Sequence, residues 1–226
     1  MTKPHRSQRG LSIVELLVGV VIALFIAAAG ATLLASHLRG NRALLLEARL
    51  MQDLRTAADL VLRDLRRAGY WGAAIDGVWV AGASSVAANP YAAVAPTAAA
   101  SDATSFRYSR DATENNVVDS NEQFGFRLRN GAIEIQLGTG NWQALTDAGT
   151  LTITQFTVTP NLQAVSLDAL CATPCPAAAA TCPPQQQVRS LALEITGRLV
   201  ADATVTRSVR GAVRLRNDVI VGACAL

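Results

Sequence analysis

No residue between Leu16 and Ser36 carries a charge. At the rise of an α-helix this stretch spans about 30 Å, the thickness of the hydrocarbon core of a bilayer. Beyond Ser36 the pattern turns amphipathic. Leu50, Leu54, Ala57, Ala58, Val61, Leu65 and Ala68 recur at helical spacing, while Arg49, Asp53, Arg55, Asp59, Arg63 and Arg66 lie mostly off that stripe. No proline occurs between Pro4 and Pro90, so the pattern predicts helix from residue 11 to residue 68, a rod of about 87 Å that Gly30 or Gly40-Asn41 can bend. A rod of that length exceeds one bilayer, and its second half is expected to pack on a soluble domain.

The period then shortens to two. Phe124, Phe126 and Leu128 alternate with polar neighbours, as do Ile133, Ile135 and Leu137. This predicts strands over 123–129 and 132–137 joined at Asn130-Gly131, a strong hairpin signal. Further strands are expected at 104–109, 151–159, 188–200 and 204–216. Residues 73–103, rich in alanine, glycine and serine and containing Pro90 and Pro96, read as an irregular surface excursion. The fold class is therefore α+β, a long N-terminal hydrophobic and amphipathic helix packed on an antiparallel β-sheet.

Composition adds limits. A chain of 226 residues that is 50% apolar and 16% charged has the material for a core. Its net charge of +3 matches the three cations of the leader, Lys3, Arg6 and Arg9. With cations on the N-terminal flank of the apolar run, the positive-inside tendency places the leader in the cytoplasm and the C-terminal bulk outside. The only histidines are His5 and His37, which removes Ser-His-Asp and Cys-His catalysis and His-ligated zinc from the rest of the chain. No carboxylate pair, nucleophile with base or phosphate loop stands out, so neither an enzyme nor a cofactor is expected.

Glu15 stands at the margin of the apolar run, where a carboxylate costs about 2–3 kcal/mol unless it finds a partner. Cleavage after Gly10 would free an amine on Leu11, one helical turn from Glu15, and give the segment both halves of an ion pair. Gly10-Leu11-Ser12-Ile13-Val14-Glu15 resembles the processing site of type IV prepilins and pseudopilins. The resemblance implies cleavage after Gly10 by the prepilin peptidase, N-methylation of Leu11, and a role for Glu15 in recruiting the subunit into a filament. It also implies the pilin-like fold.

Arg66-Arg67-Ala68-Gly69-Tyr70-Trp71-Gly72 is similar to a segment of PilW-like minor pilins. Gly69 also suits the position just after a helix, and the arginines suit its last turn. Ala73 occupies a position that is cysteine in many relatives, so the disulfide pattern of that family does not carry over. The closing Val213-Arg214-Leu215-Arg216-Asn217 is similar to the family's terminal strand.

Cys171, Cys175, Cys182 and Cys224 fall on the expected extracytoplasmic side, where disulfides persist. Bridges are expected, with three pairings open and a four-thiolate zinc site as the competing reading. Asp111, Glu114, Asp119 and Glu122 crowd a polar segment. They are read as a solvated loop, with calcium as the alternative and without EF-hand spacing. Arg189, Arg198, Arg207, Arg210, Arg214 and Arg216 are read as polar strand faces, with contact to nucleic acid, an acidic partner or a neighbouring subunit as the alternative.

The domains that follow are a cleaved leader over 1–10, a transmembrane and filament-core half of the helix over 11–38, and an amphipathic half over 39–72. An extracytoplasmic β-rich domain over 73–226 contains a Cys/Pro-rich loop at 171–187. The resemblance implies a minor pilin, single-pass in the inner membrane with its C-terminal domain in the periplasm, then incorporated into the surface pilus. Implied partners are other minor pilins and the major pilin, the prepilin peptidase and an adhesin-like tip protein, in support of twitching motility, adhesion or DNA uptake. A type II secretion pseudopilin and a DNA-binding pilus subunit are the alternatives.

Overall fold

The computed structural model describes residues 12–80, 83, 85–177 and 179–225. Helix α1 covers Ile13–Leu65. Nine strands follow: β1 (Val94–Ala95), β2 (Ala103–Arg107), β3 (Gln123–Arg129), β4 (Ala132–Leu137), β5 (Trp142–Ala144), β6 (Leu151–Ser166), β7 (Gln185–Leu199), β8 (Thr206–Arg214) and β9 (Val219–Val221). The chain divides into two compact units between Ala48 and Arg49, and α1 contributes to both.

In the first unit α1 presents its apolar residues outward. Ile13, Leu17, Val21, Phe25 and Leu33 are all exposed. The helix is long and apolar enough to cross a membrane by length and composition.

In the second unit the stripe of Leu50, Leu54, Ala57, Ala58, Val61, Leu65 and Ala68 is buried at every position. Burying a leucine or valine contributes about 1.5–3 kcal/mol, so this stripe is what holds the C-terminal part of α1 to the strands. Leu54 and Leu62 rest over Gly197 of β7 and Gly211 of β8.

The strands form two antiparallel sheets rather than one. The first has the order β1-β2-β3-β4-β5; in the second, β7 pairs with β6 on one edge and with β8 and β9 on the other. Among the described residues, isolated backbone contacts bridge them, such as the Ser101–Val158 bridge and the Ile153 N–H to Gly131 carbonyl bond of 2.8 Å.

The β3–β4 hairpin has the predicted limits, with Asn130 and Gly131 both at positive φ (51° and 75°) as a tight two-residue turn requires. In β6 a register shift between Ile153 and Gln155 allows Leu151, Ile153, Phe156 and Val158 all to be buried. This strand runs to Ser166, beyond the expected residue 159. β1, β5 and β9 have at most three residues each and no legible period. β5 is held by pairing to β4 and by the Arg127 guanidinium 4.0 Å above the Trp142 ring.

The 73–103 segment is less superficial than its composition suggests. It contains a short 3-10 helix at Ala74–Gly77, strand β1 and the fully buried Tyr91.

Candidate functional site

Gly10 and Leu11 lie outside the described residues. Glu15 occupies the first turn of α1 and is exposed there among apolar side chains that are exposed as well. An acid in the first turn complements the partial positive charge of the helix N-terminus. In the first unit this leaves an exposed apolar helix that begins with a carboxylate.

The second conspicuous arrangement is the junction at the end of α1. Gly69 has φ 77°, and its carbonyl accepts hydrogen bonds from the Asn89 (2.8 Å) and Asn217 (3.0 Å) side chains. Arg67 lies over the Tyr108 ring at 4.2 Å, and Tyr108 stacks on Phe124 at 4.1 Å. The Tyr70 carbonyl accepts from the Ser109 N–H, and buried Trp71 donates from Nε1 to Asn116 Oδ1 at 2.7 Å. Gly72 donates its N–H to Glu114 Oε2 at 2.8 Å. A Cβ at position 72 would lie 2.7 Å from that oxygen and 3.2 Å from Glu114 Cβ, so a larger residue would displace the carboxylate from this bond. The Arg66–Gly72 run is thus tied to three segments distant in sequence.

Glu114 is the centre of that junction. One carboxylate oxygen takes Gly72, and the other accepts from the Tyr91 phenol and the Asn116 N–H, each at 2.9 Å. Burial works to raise the Glu114 pKa, but these bonds and one from Ser109 outweigh it and hold the carboxyl below its ordinary range. For Tyr91, burial and then the bond to Glu114 push the phenol above its ordinary value.

The acidic segment is not a solvated loop throughout. Glu122 is fully buried, accepting from the Arg110 N–H at 2.7 Å and the Asp119 N–H at 2.8 Å. Asp111 and Asp119 accept from Asn115. The carboxylates serve as hydrogen-bond acceptors that shape the chain. Among the described residues no group of three or more His, Cys, Asp or Glu is placed to hold a metal ion.

The cysteines form two disulfides, Cys171–Cys224 and Cys175–Cys182, with Cα atoms 5.4 and 5.5 Å apart. A four-thiolate zinc site is therefore not what these residues build. The first bridge ties the loop after β6 to the segment after β9, and the second closes the loop on itself.

The arginines do not form one basic surface. Arg210 pairs with Glu194 and Arg214 with Asp218, each at 2.7 Å. Arg216 lies 5.4 Å from the Tyr70 ring. Arg189 points inward, donating to the carbonyls of Ala92 and Asn217, and burial lowers its pKa. Sequence reasoning flagged Glu114 and Arg189, and met Asn116 and Asn217 only as neighbours in the acidic segment and the closing strand motif; it did not flag Asn89 or Tyr91. Their partners lie about 20 to 150 positions away, a relation no local pattern carries.

A first helix whose leading stretch is exposed and apolar, and whose later turns are buried against antiparallel sheets, defines a pilin-like α+β protein. The family model of prepilin peptidase-dependent protein B matches residues 43–215, and the chain belongs to that family. The matched stretch covers the amphipathic turns of α1 and strands β1 to β8, and begins after Glu15. No curated protein and no solved structure matches the chain.

Proposed function

We propose that the chain is a minor pilin, similar to the PilW group, that helps prime assembly of a type IV pilus as part of a tip complex. It is made as a single-pass inner-membrane precursor with its C-terminal domain in the periplasm. The prepilin peptidase cleaves it after Gly10 and methylates Leu11, and the subunit then enters the surface fibre. Its role is structural rather than catalytic. Partners are other minor pilins, the major pilin and an adhesin-like tip protein, in support of twitching motility, adhesion or DNA uptake.

The observation that carries this reading is Glu15 in the first turn of an exposed, apolar helix, in a chain of a prepilin peptidase-dependent family. In a bundle of such helices, a carboxylate with no water around it demands a cation, and the amine freed on Leu11 of a neighbouring subunit supplies one. The Ala68-Gly69-Tyr70-Trp71-Gly72 run favours a pilus over a type II secretion pseudopilus. The pairing of Arg210 and Arg214 with acids leaves little support for a DNA-binding face.

A deletion strain tests the assignment. Loss of surface pili with exoenzyme secretion intact is the expected result; intact pili with failed secretion would assign the chain to the secretion system instead. Tandem mass spectrometry of the mature N-terminus is expected to read methyl-Leu11, and a chain that still begins upstream of Gly10 would overturn the reading.

A further inference from the structure

The long strand β6 has two different halves. Its outer edge is covered up to Val158, whose N–H and C=O both bond to Ser101. Val158 therefore directs its backbone groups away from β7, and by the alternation of an antiparallel ladder Leu162, Ala164 and Ser166 do the same. Their register with β7 is unbroken from Gln155 to Ser166. Among the described residues no strand pairs with this outer edge beyond Pro160. Leu162 is 53% exposed on it and Val165 43%. An open edge with exposed apolar side chains is a template for another chain, and beyond Pro160, which offers no N–H at its start, no lysine, glutamate or further proline guards it among the described residues.

The edge borders a cavity of about 490 Å³, lined on the other side by β1, itself the terminal strand of its sheet. Among the described residues two arginines, Arg107 and Arg189, line that cavity, and no aspartate or glutamate does. Arg189 is opposite Leu162 in the ladder and, among the described residues, its side chain bonds to the neutral carbonyls of Ala92 and Asn217. The acid that acts on it, Asp218, is already engaged by Arg214 and Gln186, each at 2.7 Å. Arg107 has no ion pair among the described residues. The leader with Lys3, Arg6 and Arg9 has the wrong charge to fill the groove.

We propose that the groove between β6 and β1 takes an extended, acidic segment of a partner protein. The segment adds to the open edge of β6 at Leu162, Ala164 and Ser166 and places carboxylates near Arg107 and Arg189. Main-chain bonds supply affinity, and the cations select the side chains. The inference holds for a pilus or a pseudopilus alike.

The test titrates the full chain in detergent micelles with a fluorescent peptide of roughly nine residues, alternating valine and glutamate as the outward pairs of a strand require. Saturable binding is expected, with the glutamine counterpart at least about tenfold weaker. Ala164→Pro removes an N–H that faces away from β7 and is expected to weaken binding about tenfold while thermal unfolding stays unchanged. N-methylation of alternate peptide nitrogens gives the same loss with unaltered protein, so the result does not depend on the variant folding. Absence of binding, equal affinity for the glutamine peptide, indifference to N-methylation, or complete displacement by glutarate would overturn the proposal, the last by marking a site for small carboxylates.

Discussion

The phenol of Tyr91 donates a 2.9 Å hydrogen bond to the carboxylate of Glu114. The first residue is fully buried in a segment that reads as surface; the second belongs to an acidic cluster that reads as solvated. Together with Gly72 and Asn116 they fix the exit of the chain from α1. These bonds tie the Arg66–Gly72 run to the segment around Glu114.

Glu114→Gln removes a charged acceptor from four donors, Gly72, Tyr91, Asn116 and Ser109, and sets an amide N–H₂ against at least one of them. The expected loss is about 1–3 kcal/mol in denaturant unfolding at neutral pH, with Tyr91→Phe costing about 1 kcal/mol. An unchanged midpoint for Glu114→Gln would remove this carboxylate from the account of the junction.

The pH dependence follows in sign from the same pair. Glu114 has a folded pKa below its unfolded one, so its contribution is complete above the ordinary glutamate value and is lost as pH falls through the folded one. The gap between wild type and Glu114→Gln should thus narrow in acid. Tyr91 has a raised pKa, so its contribution is complete below about pH 10 and declines as pH rises through the folded value. Wild type should lose stability more steeply than Tyr91→Phe in alkali. Parallel melting curves across both ranges would contradict this.

The two disulfides differ in the length of chain they close, with separations of 53 and 7 residues. In the chain-entropy model the first contributes about 4 kcal/mol and the second about 2 kcal/mol. Replacing Cys171 and Cys224 with serine should therefore lower the unfolding temperature more than replacing Cys175 and Cys182. The reverse order would mean that the small loop, not the tie to the C-terminal segment, carries the constraint.

Two substitutions in the N-terminal stretch separate processing from assembly. Gly10 replaced by a bulky residue is expected to leave the leader attached, read as a precursor-sized band. Glu15→Val is expected to leave membrane insertion intact but deplete the chain from sheared fibres, because the amine of an adjoining subunit loses its counter-charge. Equal recovery of mutant and wild type would argue against that pairing.

Much of the helix and one hairpin were legible because each has a local cause. The six stripe positions from Leu50 to Leu65 are buried because a helix repeats its face at that spacing, whereas Ala68, expected to continue the helix, is buried in the turn that follows it. Asn130-Gly131 turns because both residues accept positive φ. By contrast, β1 at Val94–Ala95 and β9 at Val219–Val221 exist only because β2 and β7 offer them edges. Glu122 reads as a surface acid because nothing nearby in sequence announces that its donors, Arg110 and Asp119, will fold over it.

The sequence by itself determined the apolar span, the amphipathic stripe, the alternating strands and the α+β class, since these depend on periodicity within a dozen residues. It also contains Gly10, Leu11 and Glu15, whose proposed roles are chemical and local. Only the tertiary structure decided that the strands divide into two sheets, that Cys171 pairs with Cys224, and that Glu114 joins Gly72 to Tyr91. Each of these is a meeting of segments far apart along the chain, and which of them meet is set by how the whole apolar surface is buried, a sum no local pattern contains.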